Sequence, residues 1–195
     1  MMEMKKCLML PSRFCPSAAY YRMVALNPDA TTVVCAGERF DKRRKDAHRM
    51  TVADTRGPLE LTVPVAKPYG RTWADTVVSR HGDWWQVMWT ALESAYGRTP
   101  FFEFYADDFR PLILGVDSYG TVGELNFRFD LAIRRALGLT SPVVYSPVES
   151  QPQPVEPWNP QPYWQLRADR LGFIPGLSIL DLIFNLGPET SLLWH

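Results

Sequence analysis

The stretch that most constrains the fold lies near the C-terminus, at residues 172–189, and reads GFIPGLSILDLIFNLGPE. The apolar residues of its central run, 179–186, point in nearly every direction around a helix, which predicts a helix buried on most sides. Ser178 stands at the N-cap position and Asp181 follows three residues later, as in a loose capping box. A Gly-Pro pair directly after the run ends the predicted helix.

Three polar residues interrupt the apolar surface of this predicted helix. Ser178, Asp181 and Asn185 follow the spacing i, i+3, i+7, so they share one face. An unpaired buried polar group costs about 1–3 kcal/mol, so this face needs partners. This polar face could border a polar cleft or join a buried polar network. Alternatively, Ser178 and Asp181 cap the start of the helix and Asn185 caps its end. We treat Asp181 as a candidate catalytic residue and the other two as candidate binding residues.

The N-terminal pattern is typical of a βαβ unit. Residues 7–10, CLML, predict a short buried strand, residues 17–26 a helix, and residues 31–35, TTVVC, a second strand. Strand, helix and strand within about thirty residues favour a parallel pair and a Rossmann-like start.

In such sheets, ligands bind beyond the carboxyl ends of the strands. The loop at residues 11–16 follows the first strand and therefore lies near a candidate site, with Ser12, Arg13 and Ser17 as binding residues. The prolines at both ends of this loop could instead only shape a tight connection.

The rest of the chain alternates between strand and helix patterns. Residues 59–65 alternate as a half-buried strand, residues 77–78 could begin a short strand, and residues 143–145 are a last strand. Residues 83–96 and 121–137 are two amphipathic helices, the first with Asp83 as its cap and the second with a capping box of Thr121 and Glu124. These elements predict an α/β fold with a small, at least partly parallel sheet flanked by helices.

A proline-rich segment at residues 142–162 contains seven prolines and predicts a long extended crossing. Only about thirty residues follow it, and they need something to pack on. We therefore expect one domain over residues 1–195, with the crossing delivering the C-terminal helix to the core.

Composition excludes several classes of function. The 21 basic and 21 acidic residues give no net charge, so attraction to nucleic acid or to an anionic membrane is not expected. The three cysteines lack metal-ligand spacing, which favours a reducing compartment, and no run is long enough to span a bilayer. We therefore expect a cytoplasmic protein without an integral membrane segment.

Two stretches carry further candidate residues. Residues 38–49 contain six basic side chains, of which Arg49 leads into the next strand and could bind a phosphate or carboxylate, although most such runs are solvated loops. Glu93 lies at helical spacing from Trp89 and Tyr96, and a shielded carboxylate there would have a raised pKa and could act as general acid or base. A surface position for Glu93 is the alternative.

A third stretch, residues 100–111, combines four aromatic residues with Glu103, Asp107 and Asp108. Three carboxylates at this spacing could hold Mg²⁺, which prefers oxygen ligands. A helix end, or pairing of the two aspartates with Arg110, explains the same pattern without a metal, so no metal ligand is assigned.

Taken together, several motifs resemble the WbqC-like protein family of bacteria over nearly the whole chain. The sequence departs from that family at Gly176, where Asn is usual, and at His48, where Asn before Arg is common. The motifs that carry the resemblance are the Pro-Ser…Pro-Ser loop with Tyr20-Tyr21, Leu61–Val65, Glu93–Tyr96, Thr99–Tyr105, Asp107–Pro111, Tyr163–Gln165 and the stretch at residues 172–189.

The resemblance implies a cytoplasmic protein of surface-polysaccharide (O-antigen or capsule) biosynthesis, with transfer of an acyl or aminoacyl group, such as glycine, to an amino sugar or sugar nucleotide. Our first hypothesis is such a transferase. The alternative is a non-catalytic binding partner of glycan-biosynthesis enzymes, and homo-oligomers are compatible with both. The candidate catalytic residues are Glu93, Asp107, Asp108 and Asp181, and the candidate substrate-binding residues are Ser12, Arg13, Ser17, Arg49, Tyr96, Gln165, Ser178 and Asn185.

Overall fold

The computed structural model describes residues 6–194, and its central element is a three-stranded parallel sheet. Strand β1 is Cys7–Pro11, helix α1 is Ala18–Ala25 and strand β2 is Thr31–Cys35, which confirms the βαβ start. Strand β5, Val143–Ser146, pairs in parallel with the other side of β2, giving the order β1-β2-β5. The predicted α/β fold class is therefore correct.

A separate antiparallel hairpin packs beside the helices. Strand β3 is Arg49–Asp54 and strand β4 is Gly57–Thr62. The strand expected at residues 59–65 is thus shifted toward the N-terminus, and β3 was not predicted, because only Met50 and Val52 carry its apolar face into the core. A short strand considered at residues 77–78 makes isolated bridges only.

Five further α-helices complete the fold, and one of them extends beyond residues 100–111, where the sequence allowed a helix end. The helix at residues 102–114 continues through Pro111 because Phe102, Tyr105, Phe109 and Ile113 form a buried stripe along it. The five are α2 (Trp84–Tyr96), α3 (Phe102–Leu114), α4 (Val122–Ala136), α5 (Ala168–Leu171) and α6 (Ile179–Leu186).

The expected helix caps are partly present. Thr121 and Glu124 form a reciprocal capping box at α4, and the Ser178 hydroxyl accepts from the Leu180 N–H at 3.3 Å. The Asp83 side chain does not cap α2, and Asp181 does not complete a capping box at α6 because its carboxylate is held by other partners.

Helix α6 occupies the centre of the molecule. Seven of its eight residues, 179–185, are buried, and it contacts α1, α2, α3, α4 and β3. The crossing segment after β5 is extended up to residue 165, and it is attached to the sheet where the Gln153 N–H donates to the Met9 carbonyl at 2.8 Å. The buried C-terminal helix is thus confirmed. Among residues 6–194, no helix is long and apolar enough to cross a membrane.

Candidate functional site

The carboxyl ends of the three parallel strands open onto an extended cleft. Strands β1, β2 and β5 all end at the same edge of the sheet, and the segments around and beyond these ends enclose about 1200 Å³. We call this space the large cleft. It is lined by Pro11, by Arg13, and by residues from the segments 38–46 and 149–155. This is the position at which open α/β sheets bind their ligands.

A second space of about 400 Å³, the small cleft, lies next to the large cleft. Arg13, Asp46 and Val155 line both. The small cleft brings together four of the residues that the sequence nominated for substrate binding, namely Arg13, Ser17, Arg49 and Ser178. These residues come from the β1–α1 loop, strand β3 and the N-cap of α6, so the fold unites regions far apart in the chain.

Arg13 forms the wall between the two clefts. Its side chain is only 5% exposed, and its Nε donates to Asp46 Oδ2 at 2.6 Å while one Nη donates to Glu38 Oε2 at 3.0 Å. Glu38 also accepts from Arg44 at 3.0 Å. Because Asp46 is 61% exposed, one of the two carboxylates that hold Arg13 is open to solvent and the other is not.

Ser12 lies beneath the clefts and does not line them. Its hydroxyl accepts from Asn126 Nδ2 at 3.0 Å, and the same Nδ2 donates to the Ala47 carbonyl at 2.9 Å. The Ser12 N–H donates to the Cys35 carbonyl at 3.1 Å. Ser12 therefore ties the β1–α1 loop to β2 and α4, which positions the neighbouring Arg13.

The small cleft is predominantly cationic. Arg13, Lys45 and Arg49 line it, opposed by Asp46 and Glu60. Arg49 donates to Glu60 through Nη1 at 3.2 Å, while its Nε is buried and has no hydrogen-bond partner within residues 6–194. A phosphate or carboxylate would supply acceptors for these donors.

Helix α1 starts at the edge of this small cleft. Its N-cap, Ser17, makes no side-chain hydrogen bond to the first turn, although its carbonyl accepts from the Tyr20 N–H at 3.1 Å. The positive end of the helix therefore adds to the attraction for an anion.

Asp181 belongs to a different, enclosed cluster. Its Oδ2 accepts a short hydrogen bond from the Tyr163 hydroxyl and one from Gln165 Nε2 at 3.0 Å. Gln165 also pairs with the backbone of Ile174, accepting its N–H at 2.9 Å and donating to its carbonyl at 3.0 Å. Asp181 is 1% exposed and lines none of the clefts, so this cluster clamps the crossing segment onto α6.

Asn185 and Tyr96 each make a structural hydrogen bond to a backbone group. Asn185 donates to the Asp181 carbonyl one turn back at 2.7 Å, so it does not cap the helix end. The Tyr96 hydroxyl accepts from the Ala53 N–H at 3.1 Å, which ties α2 to β3. Burial raises the pKa of the Asp181 carboxyl, against the opposing effect of the hydrogen bonds from Tyr163 and Gln165.

The three other nominated carboxylates lie outside both clefts. Glu93 on α2 and Asp107 on α3 are exposed, and Asp108 lies 3.6 Å from Arg135. Glu103 is also exposed. Within the described part of the chain, no group of three or more His, Cys, Asp or Glu side chains is placed to hold a metal ion.

Sequence reasoning missed the acidic partners of Arg13. Glu38 and Asp46 are interleaved with arginines in the segment 38–49, which is a signal of ion pairing. Asp130 and Arg134, one helical turn apart on α4, form a buried ion pair at 2.6 Å. Burial raises the pKa of the Asp130 carboxyl, because desolvation outweighs the attraction of Arg134.

A comparison with known protein families matches the part of the chain that supplies most of the residues lining the clefts. The family model described as the WbqC-like protein family matches residues 12–157, which is 146 of the 195 residues. The match includes every residue that lines the large cleft except Pro11, and it ends before Tyr163 and helix α6. No curated protein and no solved structure matches the chain.

Proposed function

The chain belongs to the WbqC-like protein family, and on that premise we propose that it is a transferase of bacterial surface-polysaccharide biosynthesis. Membership of this family is consistent with a role in polysaccharide biosynthesis. The proposed reaction transfers an acyl or aminoacyl group to an amino sugar that carries a phosphate or a nucleoside diphosphate.

The observation that carries this proposal is the pair of clefts sharing Arg13 at the carboxyl edge of the sheet. In the proposed complex the phosphate of the sugar lies in the small cleft, against Arg49, Lys45 and the start of α1. The remainder of the substrate extends past Arg13 into the large cleft. Charge-assisted hydrogen bonds to a phosphate are about twice as strong as neutral ones, so this end would anchor the substrate.

Transfer of an acyl group to an amine or hydroxyl releases a proton when the new bond forms and the leaving group departs with its electron pair. A carboxylate near the junction of the clefts would accept that proton. Asp46 lines both clefts and is half exposed, so we propose it as the general base. Glu38 is less suited to this role because two arginines hold its carboxylate.

The test is a calorimetric titration of the purified protein with glucose 1-phosphate. Arg49→Ala should lower the affinity by at least about tenfold, because it removes one of the three cations that line the small cleft. Arg56→Ala is the matched control, since Arg56 is exposed in the β3–β4 turn and lines neither cleft. Equal affinity of both variants, or the absence of binding to the wild type, would refute the proposal.

The alternative, a non-catalytic partner of glycan-biosynthesis enzymes, is favoured by exposed apolar side chains on two helices. Val87 on α2 is 67% exposed and Phe104 on α3 is 74% exposed. This alternative predicts that Phe104→Ser abolishes polysaccharide production in cells while Arg49→Ala leaves it intact. The transferase proposal predicts the opposite pattern.

A further inference from the structure

A third space of about 640 Å³, the side cleft, continues the large cleft beyond Phe40. It shares Arg39, Phe40 and Glu149 with the large cleft, so a ligand could extend through both. Its volume is within the range typical of small-molecule sites. The other residues lining the side cleft are Gly37, Gly70, Arg71, Thr72 and Asp75.

Backbone pairing holds two arginines at the side cleft. Segments 36–40 and 70–74 lie side by side, with the Ala74 N–H donating to the Ala36 carbonyl and the Phe40 N–H to the Arg71 carbonyl, both at 2.8 Å. The side chains of Arg39 and Arg71 make no ion pair or hydrogen bond with any residue in the described range 6–194. Two unpaired cations lining one space repel each other, and an anion bound between them would relieve that repulsion.

A stack of aromatic rings forms the apolar side of the same space. Phe40 stacks on Tyr69 with ring centroids 4.8 Å apart and packs against Trp73 at 4.8 Å, and buried Trp73 stacks on buried His48. Phe40 is partly exposed and lines both the large cleft and the side cleft, so its ring is available to a planar ligand. Aromatic rings pack against one another in offset-stacked or edge-to-face arrangements.

Glu149 adds an acceptor where the side cleft meets the large cleft. Its carboxylate is exposed and makes no hydrogen bond or ion pair within residues 6–194. An unpaired carboxylate at this place can accept hydrogen bonds from the hydroxyl groups of a sugar ring.

We propose that the side cleft binds a nucleoside diphosphate. The phosphates lie between Arg39 and Arg71, the base packs against Phe40, and the ribose hydroxyls donate to Glu149. This inference rests on the proposed function, whose sugar phosphate occupies the small cleft, and adds a nucleoside diphosphate as a second ligand that reaches the large cleft from the side cleft.

The experiment is calorimetric titration of the full chain with uridine 5′-diphosphate and adenosine 5′-diphosphate, with inorganic pyrophosphate as the probe without a base. The wild type should bind at least one of the nucleotides at least tenfold more tightly than pyrophosphate. Arg39→Ala/Arg71→Ala should weaken nucleotide binding by at least tenfold. Arg56→Ala/Arg98→Ala is the matched control, because it removes the same charge at exposed positions that line none of the three clefts and should change affinity less than twofold.

Three outcomes would overturn the inference: no nucleotide binding, equal binding of pyrophosphate, or equal loss in the two double variants. The titration with glucose 1-phosphate separates this failure from a failure of the proposed function. If glucose 1-phosphate binding persists and depends on Arg49 while nucleotides do not bind, the side-cleft inference is wrong and the proposed function stands. Thermal unfolding of both double variants should match the wild type, since all four side chains are exposed.

Discussion

Two clusters in this molecule centre on a buried charged side chain, and they differ in access. Asp181 is enclosed by Tyr163 and Gln165 and lines no cleft. Arg13 is almost as buried, yet its partner Asp46 is 61% exposed and lies on the walls of two clefts. Burial of the charged side chain therefore does not separate the proposed site at Arg13 from the structural cluster at Asp181. The exposure of the partner side chain, Asp46, does.

The family match follows the same division. It covers Arg13, Glu38 and Asp46 and ends before either of the side chains that hold Asp181. This division is consistent with our proposal that the Arg13 cluster belongs to the substrate site and that the Asp181 cluster stabilises the fold.

The largest expected effect is the loss of stability when Asp181 is removed. Asp181→Ala leaves Tyr163 and Gln165 without their acceptor in the interior, so the free energy of unfolding should fall by about 2–4 kcal/mol. Urea unfolding measures this change, and the affinity of the folded variant for glucose 1-phosphate should be unaltered. Asp169→Ala, at an exposed position on α5, is the control and should change stability by less than about 0.5 kcal/mol. A stable Asp181→Ala variant that fails to bind ligand would reverse our assignment of the two clusters.

A smaller effect concerns the pH dependence of stability. Burial raises the pKa of the Asp181 carboxyl above its ordinary value of 3.8, so the folded state holds this proton more tightly than the unfolded state. The resulting contribution to stability is fully present below the ordinary pKa and is lost as the pH rises through the raised pKa.

The stability of the wild type relative to Asp181→Asn should therefore decrease as the pH rises above 3.8, the ordinary pKa of the carboxyl. Asp130, whose pKa burial also raises, is present in both proteins and cancels in the difference. Urea unfolding of both proteins at several pH values tests this. A constant difference, or one that grows with pH, would contradict the buried position of the Asp181 carboxyl.

The smallest effect sharpens the description of the Arg13 cluster. Asp46→Asn weakens the ion pair with Arg13 Nε and should raise the affinity for glucose 1-phosphate by about three- to fivefold, or about 1 kcal/mol, while it lowers the transfer rate by removing the proposed base. Glu60→Gln removes the same charge from the small cleft but releases Arg49 and not Arg13, so it should raise the affinity without lowering the transfer rate. An equal loss of transfer rate in the two variants would mean that Asp46 is not the base.

The sequence allowed the elements to be predicted because their signals are local. The alternation and β-branching of β2, the capping box of Thr121 with Glu124, and the apolar run of α6 each depend on neighbours within a few positions. The same local signals nominated Arg13, Ser17, Arg49 and Ser178, which the fold brings together at the small cleft.

The contacts between residues far apart in the chain could not be predicted. Arg13 pairs with Glu38, 25 residues away, and Asp181 accepts from Tyr163, 18 residues away, and no periodicity encodes such pairs. Glu93 and Asp107 were nominated from helical spacing alone, which does not reveal whether a helix flank faces a cleft or solvent.

The measurement that most directly tests the central claim is a titration of isotopically labelled protein with glucose 1-phosphate, followed by amide NMR. The account predicts that the shifted amides cluster at residues 11–17 and 45–51, around Arg13 and Arg49, and that those of residues 179–186 stay unchanged. Shifts confined to the surroundings of Asp181, or to the exposed flanks of α2 and α3 at Glu93 and Asp107, would contradict it.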